Sequence, residues 1–279
     1  MKTWFITGAS TGIGRCIAEA AFKNGDKVCG ASIDPENMQD YEGRFGKENV
    51  LVQYLDISNE QMCKETFAKA VAYFGHIDVL VNCAGFMQCG PIEAMATEEV
   101  NRIVNCNFYG TFFLSREAAR HMRERKSGTI VQIASLSAVD VIAGEGMYGA
   151  TKMAVKGMSQ ALHAELAPFG VKVIIVEPGP VHTNMAKRAK LCKERIPAYD
   201  VVCGAELDRW EEADGYAMPD ATDPAKIGAL INRLAYEANP PREITLGSFA
   251  YKILNDSYKE RLKMADEWKE LSDACDEDA

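Results

Sequence analysis

The sequence predicts an α/β fold: a doubly wound, Rossmann-type parallel sheet of about seven strands, with helices on both faces, in a single domain. Two observations predict it. Short apolar runs alternate with helix-length amphipathic stretches along most of the 279 residues, and a glycine-rich turn follows the first run. The expected strands lie at residues 4–6, 27–31, 50–55, 77–81, 129–133, 171–176 and 244–246. Between them, helical patterns occupy residues 15–23, 60–73, 98–123, 148–166 and 224–236. Strand–helix–strand units of this length close as right-handed crossovers, which gives a parallel sheet covered on both sides. Gly25 ends the first helix as a left-handed cap.

Composition narrows the function classes. Asp and Glu number 40 against 31 Lys and Arg, for a net charge of −9, and no basic stripe follows a phosphate backbone. Nucleic acid is therefore not an expected partner. No segment has the apolar length to span a membrane, and the N-terminus reaches Gly8 too early for a signal peptide, so a cytoplasmic protein is expected. Nine cysteines form no C-x-x-C pair and several sit in apolar runs, as buried reduced thiols would. His76, His121, His163 and His182 lack ligand spacing, so no metal is expected.

Two regions break the rhythm. Residues 184–223 are polar and irregular, with Pro197, Tyr199, Trp210, Tyr216 and Pro219, and read as a substrate loop or lid. Residues 249–279 form a helical tail after a catalytic domain of residues 1–248. Tyr251, Ile253, Leu254, Leu262, Trp268 and Leu271 recur in it at helical spacing, as if packed on the body or on a partner subunit.

The segment Thr7-Gly8-Ala9-Ser10-Thr11-Gly12-Ile13-Gly14 leads from the first strand directly into a helix. Gly8 allows the sharp turn, Gly12 lets the backbone approach a pyrophosphate, and Gly14 allows close helix–strand packing. The first helical N–H groups then face the diphosphate, along the favourable end of the helix dipole. Tyr148 and Lys152 lie one turn apart on a later helix. With the TGxxxGxG spacing, this set resembles the compact, single-domain branch of the short-chain dehydrogenase/reductase family, over residues 3 to about 183.

The resemblance implies roles residue by residue. Asp56 matches the family's acidic residue beside the adenine, with Ile57 following it. Asn82-Cys83-Ala84-Gly85 matches the NNAG element, Cys83 replacing the second asparagine while keeping a small side chain. Ser135 stands thirteen residues before Tyr148, the family's usual interval, with Ser137 as the alternative serine. Asn107 matches the family's N-x-x-G. Pro178, Gly179, Val181 and Thr183 match PGxVxT, where Val181 and Thr183 would meet the nicotinamide carboxamide. Asn107, Ser135, Tyr148 and Lys152 thus form the expected catalytic tetrad.

A secondary alcohol loses a proton from oxygen and a hydride from carbon. An unperturbed tyrosine, with pKa ~10, is a poor base at neutral pH. Lys152 and a nicotinamide's charge are expected to favour the phenolate of Tyr148, while Ser135 holds the substrate oxygen. Lys152 is also expected to hold the nicotinamide ribose, and Asn107 to position a water that relays protons to Lys152.

Cofactor choice is expected just after the second strand, at Ser32, Ile33 and Asp34. Neither the aspartate common in NAD users nor the arginine common in NADP users stands at its usual position, and Thr11 is neutral. The missing cation favours NAD over NADP; Asp34 facing inward would repel a 2′-phosphate, and Arg15 is the cation that could reverse the preference. Phe86, Met87, Val139, Val141, Ile142, Met147 and Met185 are expected to line an apolar substrate pocket, with Tyr199, Trp210 and Tyr216 as further candidates.

That lining suits a hydrophobic secondary alcohol or ketone, with a hydroxysteroid as the specific expectation and a 3-oxoacyl-thioester reductase as the rival within the family. A non-catalytic dinucleotide-binding sensor is the alternative outside catalysis, opposed by the complete tetrad. The resemblance also suggests a homodimer or homotetramer through the helices at residues 98–123 and 148–166, whose small apolar face is Ala154, Gly157, Met158 and Ala161.

Overall fold

The computed structural model describes residues 1–211 and 220–276. In chain order it runs β1 (Thr3–Thr7), α1 (Gly12–Lys23), β2 (Lys27–Ser32), α2 (Asp40–Phe45), β3 (Val50–Tyr54), α3 (Glu60–Phe74), β4 (Val79–Asn82) and β5 (Gln88–Cys89). Then come α4 (Thr97–Ile103), α5 (Thr111–Arg125), β6 (Gly128–Ile133), α6 (Gly146–Leu166), β7 (Val171–Pro178), α7 (Met185–Arg188) and β8 (Lys190–Leu191). The chain continues through α8 (Ala205–Glu211), α9 (Pro224–Tyr236), β9 (Glu243–Leu246), α10 (Ser248–Glu267) and α11 (Lys269–Asp273).

Seven strands form one parallel sheet in the order β3-β2-β1-β4-β6-β7-β9. Side chains alternate across a strand, and the sequence uses both faces. Trp4 and Ile6 join one core with Ile17 of α1, Tyr41 of α2 and Ile231 of α9. Phe5, between them, joins the other core with Phe67 of α3, Leu114 and Met122 of α5, and Leu166 of α6. Val79 and Val81 against Leu80 repeat the division in β4. The strand order reverses between β1 and β4, which opens a crevice at the carboxyl ends of the strands.

Four features depart from the sequence expectation. The helix expected over residues 98–123 comes as α4 and α5 joined by a π-helical segment, Val104–Gly110, centred on Asn107. Such bulges add a residue to a turn without changing the apolar pattern on either side, so periodicity hides them. Residues 184–223 are less irregular than expected, because α7, β8 and α8 lie within them. Tyr216 and Pro219, placed in that loop by the sequence reading, lie outside the described residues.

Third, β5 and β8 form a separate two-stranded parallel pair, Gln88 facing Lys190 and Cys89 facing Leu191. The amides of Lys190 and Cys192 donate to the carbonyls of Met87 and Cys89, both at 2.8 Å. Fourth, the tail packs on the body mainly over its first turns, with Arg261 farther along donating to the Val139 carbonyl. Ala250 is buried, but Tyr251, Leu262, Trp268 and Leu271 face outward, and every described side chain from Tyr258 on is exposed. The helical stripe is real, but only its first residues, among them Ile253 and Leu254, are partly covered by the body. Among the described residues no helix is long and apolar enough to cross a membrane.

Candidate functional site

The crevice at the switch point is one continuous cavity of about 1090 Å³. Its floor is the glycine-rich turn. Gly12 has φ +55°, a left-handed conformation that side chains resist, and its missing Cβ keeps the turn open toward Thr183. At Gly14 a Cβ would stand 2.3 Å from the carbonyl oxygen of Gly8, so only glycine lets α1 start this close to β1. The turn is braced from behind: Thr7 Oγ1 accepts from the amides of Cys83 and Ala84 at 2.9 and 3.0 Å, tying β1 to the loop after β4. Tyr41 Oη donates to the Ala9 carbonyl at 3.1 Å. A cradle of backbone N–H groups at the N-terminus of a helix, kept open by its glycines, fits a dinucleotide diphosphate.

Gly8, Ser10, Thr11, Gly12, Ile13 and Gly14 all line the cavity, as do Ser32, Ile33, Asp34, Asp56 and Ile57 at one end. Ser10 and Ser32 share a hydrogen bond of 2.8 Å, and Ser32 Oγ also accepts from the Asp34 amide at 3.1 Å. Asp56 Oδ1 accepts from the Ser58 amide at 2.9 Å and the Ser58 hydroxyl at 2.7 Å. Ala84, Gly85, Pro178, Gly179, Val181 and Thr183 line the opposite side. Asn82 does not. It is buried, and its Nδ2 donates to Gln132 Oε1 at 2.9 Å and Ser115 Oγ at 3.0 Å, so it joins β4 to β6 beneath the cavity. As the last residue of β4 its side chain points into the sheet's face, one residue short of the crevice.

Ser135, Tyr148 and Lys152 meet at the other end of the cavity. Ser135 follows β6, while Tyr148 and Lys152 share a face of α6. Lys152 Nζ lies 5.7 Å from the Tyr148 ring centroid and donates to the Ile133 carbonyl at 2.8 Å. Burial raises the Tyr148 phenol well above its ordinary value, with the Ser135 hydroxyl beside it pulling the other way. Burial likewise lowers the Lys152 ammonium to about 8. The expected lowering of the phenol by Lys152 is therefore not a property of the chain alone, because desolvation dominates at both groups. Ser137, the alternative serine, hydrogen-bonds with Ser135: Ser135 Oγ donates to Ser137 Oγ at 3.3 Å, and the Ser137 amide donates to Ser135 Oγ at 3.1 Å.

Asn107 lies outside the cavity lining. Its Oδ1 accepts from the Phe86 amide at 3.1 Å, and its Nδ2 donates to the Phe86 carbonyl at 2.9 Å and to Thr151 Oγ1 at 3.3 Å. The side chain thus braces the backbone after Gly85 and the Thr151 hydroxyl, with Asn107 Oδ1 and Lys152 Nζ on the same side of Gly85.

On the substrate side, Phe86, Met87, Ile142, Met185 and Trp210 line the cavity. Met147 is not among the lining residues; it belongs to the apolar cluster that also holds Phe86, Met87 and Tyr148. Tyr199 is likewise outside the lining, its hydroxyl on Glu93 at 2.6 Å. Arg15 is absent from the lining, being held by Asp40 at 3.0 Å and the Asn37 carbonyl at 2.6 Å. A different cation stands at that end. Arg188 of α7 pairs with Asp34 at 2.9 Å across the cavity mouth. Sequence reasoning missed it, because 154 residues separate the two. It also missed Phe249 and Ile253 of α10, and Glu145 and Glu206, all of which line the cavity.

With this geometry in view, comparison with known proteins gives a consistent answer. The family model described as short chain dehydrogenase matches residues 2–193. An oxidoreductase of Botryotinia fuckeliana, BOA17, is 32% identical over 97% of this chain and 98% of its own. The 3-ketodihydrosphingosine reductase of Bacteroides thetaiotaomicron is 30% identical over 87% of this chain and 86% of its own. A solved short-chain dehydrogenase from Streptomyces avermitilis superposes with a TM-score of 0.90 at 33% identity, covering 99% of both chains. The glycine cradle, the seven-stranded sheet and the match over most of the chain carry one conclusion: this protein belongs to the short-chain dehydrogenase family of oxidoreductases.

Proposed function

We propose that the protein interconverts a hydrophobic secondary alcohol and its ketone with a nicotinamide cofactor, NAD in preference to NADP. The observation that carries this reading is the convergence of Ser135, Tyr148 and Lys152 on the cavity that also holds the glycine cradle. Tyr148 passes the proton at its Oη, as acceptor from the alcohol in oxidation and as donor to the ketone oxygen in reduction. Ser135 holds the substrate oxygen by a hydrogen bond. Lys152, buried and fixed on the Ile133 carbonyl, stabilises the phenolate by charge and holds the nicotinamide ribose. Asn107 acts by positioning, through its grip on Phe86.

The backbone from Gly8 to Gly14 with Ser10, Thr11 and Ile13 would hold the diphosphate, and Asp56 and Ile57 the adenine. Ser32, Ile33 and Asp34 would hold the adenosine ribose, and Pro178, Gly179, Val181 and Thr183 the carboxamide. A bound nicotinamide supplies the hydride acceptor in oxidation and the donor in reduction. NAD is favoured because the Asp34 carboxylate lines the ribose end and Arg188, a cation beside it there, is already paired to it.

The lining of Phe86, Met87, Ile142, Met185, Phe249 and Ile253 supports an apolar substrate, with a hydroxysteroid as the class to test. The Bacteroides relative, named for reducing the keto group of 3-ketodihydrosphingosine, supports an apolar ketone as well. Homodimer or homotetramer assembly through α5 and α6 belongs to the same reading: Gly157 and Ala161 are exposed, so that small-residue face is not spent on the sheet. A cytoplasmic location is supported by nine cysteines that are all free thiols.

The test is nicotinamide absorbance with purified protein, NAD⁺ and NADP⁺ in parallel, against hydroxysteroids and simpler secondary alcohols. Turnover is expected with NAD⁺ and is expected to fall by about 10³ or more in Tyr148→Phe, with cofactor binding retained. Cofactor binding with no turnover of any alcohol would favour a sensor instead.

A further inference from the structure

One buried charge in the cavity is used by nothing described so far. Glu145 stands directly before α6, one turn ahead of Tyr148, and is only 7% exposed. Its Oε2 accepts a hydrogen bond from Ser137 Oγ at 3.3 Å, and Ser137 Oγ in turn accepts from Ser135 Oγ at 3.3 Å. The carboxylate is therefore two hydrogen-bond lengths from the serine that receives the substrate oxygen. Glu145 lines the cavity, and among the described residues its Oε1 has no hydrogen bond and no ion-pair partner.

Its surroundings make that vacancy costly. A neighbour whose charge acts on it is Glu206 of α8, another carboxylate, which is paired with Arg209 on its own helix, and both line the cavity. Burial first, and repulsion from Glu206 second, raise the Glu145 carboxyl to about 7, with the Ser137 hydrogen bond opposing them. A desolvated carboxylate with one hydroxyl donor and no cation is an incomplete ion pair. The oxygen and nitrogen of a vicinal amino alcohol are little more than one hydrogen-bond length apart. An ammonium beside an oxygen held by Ser135 comes within reach of Glu145 when that substrate carbon lies on the Ser137 side of the cavity.

We propose that Glu145 is a specificity-determining residue that binds an ammonium group on the substrate carbon adjacent to the reacting one, which makes the preferred substrate an apolar vicinal amino alcohol or α-amino ketone. The inference rests on the hydride-transfer reading and moves its substrate class away from the hydroxysteroid. The ammonium takes no part in the hydride or proton transfer. A hydroxyl at the same carbon would fill the free lone pair of Glu145 without neutralising it, so the charge separates the two candidates.

The experiment compares three matched long-chain substrates with NAD⁺ and NADP⁺: a 3-alkanol, its 2-amino derivative and its 2-hydroxy derivative. Wild type is expected to favour the amino alcohol over the plain alkanol in kcat/KM by roughly tenfold or more, the scale of one charge-assisted hydrogen bond. Glu145→Gln is expected to bring that ratio to within about threefold, mainly through KM for the amino alcohol, and Glu145→Asp to keep part of it. A wild-type enzyme that takes the alkanol equally well, or prefers the diol, overturns the inference and leaves the proposed function standing. So does a Glu145→Gln protein that loses both substrates by the same factor, which would mark Glu145 as a support for Ser137 and Ser135. No turnover of any secondary alcohol removes both readings.

Discussion

Asn107 grips Phe86 at two points, accepting from its amide at 3.1 Å and donating to its carbonyl at 2.9 Å. The grip is possible because Asn107 sits in the π-helical segment between α4 and α5, which turns a buried amide toward the loop after β4. Phe86 is thereby held against the cavity, next to Gly85, whose missing Cβ would stand 3.1 Å from Asn107 Oδ1. Truncation to Asn107→Ala leaves the part-buried N–H and C=O of Phe86 without these partners. We expect a loss of about 2–3 kcal/mol in unfolding free energy from urea titration, together with a fall in kcat. Unchanged stability would mean that water replaces the amide without cost.

Gly14→Ala tests the floor of the site. The added Cβ meets the Gly8 carbonyl at 2.3 Å, and that atom belongs to backbone that cannot swing aside. The turn must open, and the helical N–H groups lose their aim. Nicotinamide cofactor affinity, read by titration calorimetry, is expected to drop by roughly tenfold or more, while the far-ultraviolet circular dichroism of the sheet and helices persists. Equal affinity in the variant would show that the diphosphate does not rest on this turn.

Glu145 gives the protein a definite pH dependence of stability. Its folded carboxyl ionises near 7, above the ordinary value of 4.5, so between these values the folded chain binds more protons than the unfolded one. Stability linked to this group is complete below about 4.5 and is lost as pH rises through about 7. Glu145→Gln removes the loss. The variant is expected to gain about 3 kcal/mol on wild type when both are moved from pH 4.5 to pH 8, measured by urea unfolding at each pH. Parallel curves for the two proteins would refute the buried setting of this carboxylate beside Glu206.

Cofactor preference is expected to turn on the Asp34–Arg188 pair, held at 2.9 Å across the mouth of the cavity. Asp34→Ala removes an acceptor for the ribose 2′-hydroxyl and frees a guanidinium for a 2′-phosphate. The KM for NAD⁺ should rise by about fivefold to tenfold, and the KM for NADP⁺ should fall. A preference unmoved by this change would shift attention to Lys187 and Lys190, which also line that region.

The strands were legible because their two faces meet different cores: Trp4 and Ile6 against Phe5 is a pattern that burial on both sides of a sheet imposes. Tyr148 and Lys152 were legible because four residues on a helix is one turn, so spacing alone puts them on one face. Met147 shows the limit of that logic, since its apolar side chain suited the pocket yet packs beside Tyr148 without joining the lining. Asn82 and Asn107 were legible as positions, yet their amides turned out to brace backbone and neighbouring side chains. The pieces that sequence could not show are non-local or too short to have a period. Arg188 reaches Asp34 across most of the chain, and β5 and β8 are two residues each. Glu145, between two glycines, looks like any solvated turn residue until the fold buries it.

The β5–β8 pair joins segments about a hundred residues apart with a ladder only two residues long. It holds the substrate wall, from Met87 across to Cys192, yet shares no rung with the seven-stranded sheet. A molecule built this way can lengthen, shorten or exchange that wall without shifting the register of a single main strand. The wall on the substrate side can thus be altered at β5 and β8 while the strands that carry the cofactor cradle keep their pairing.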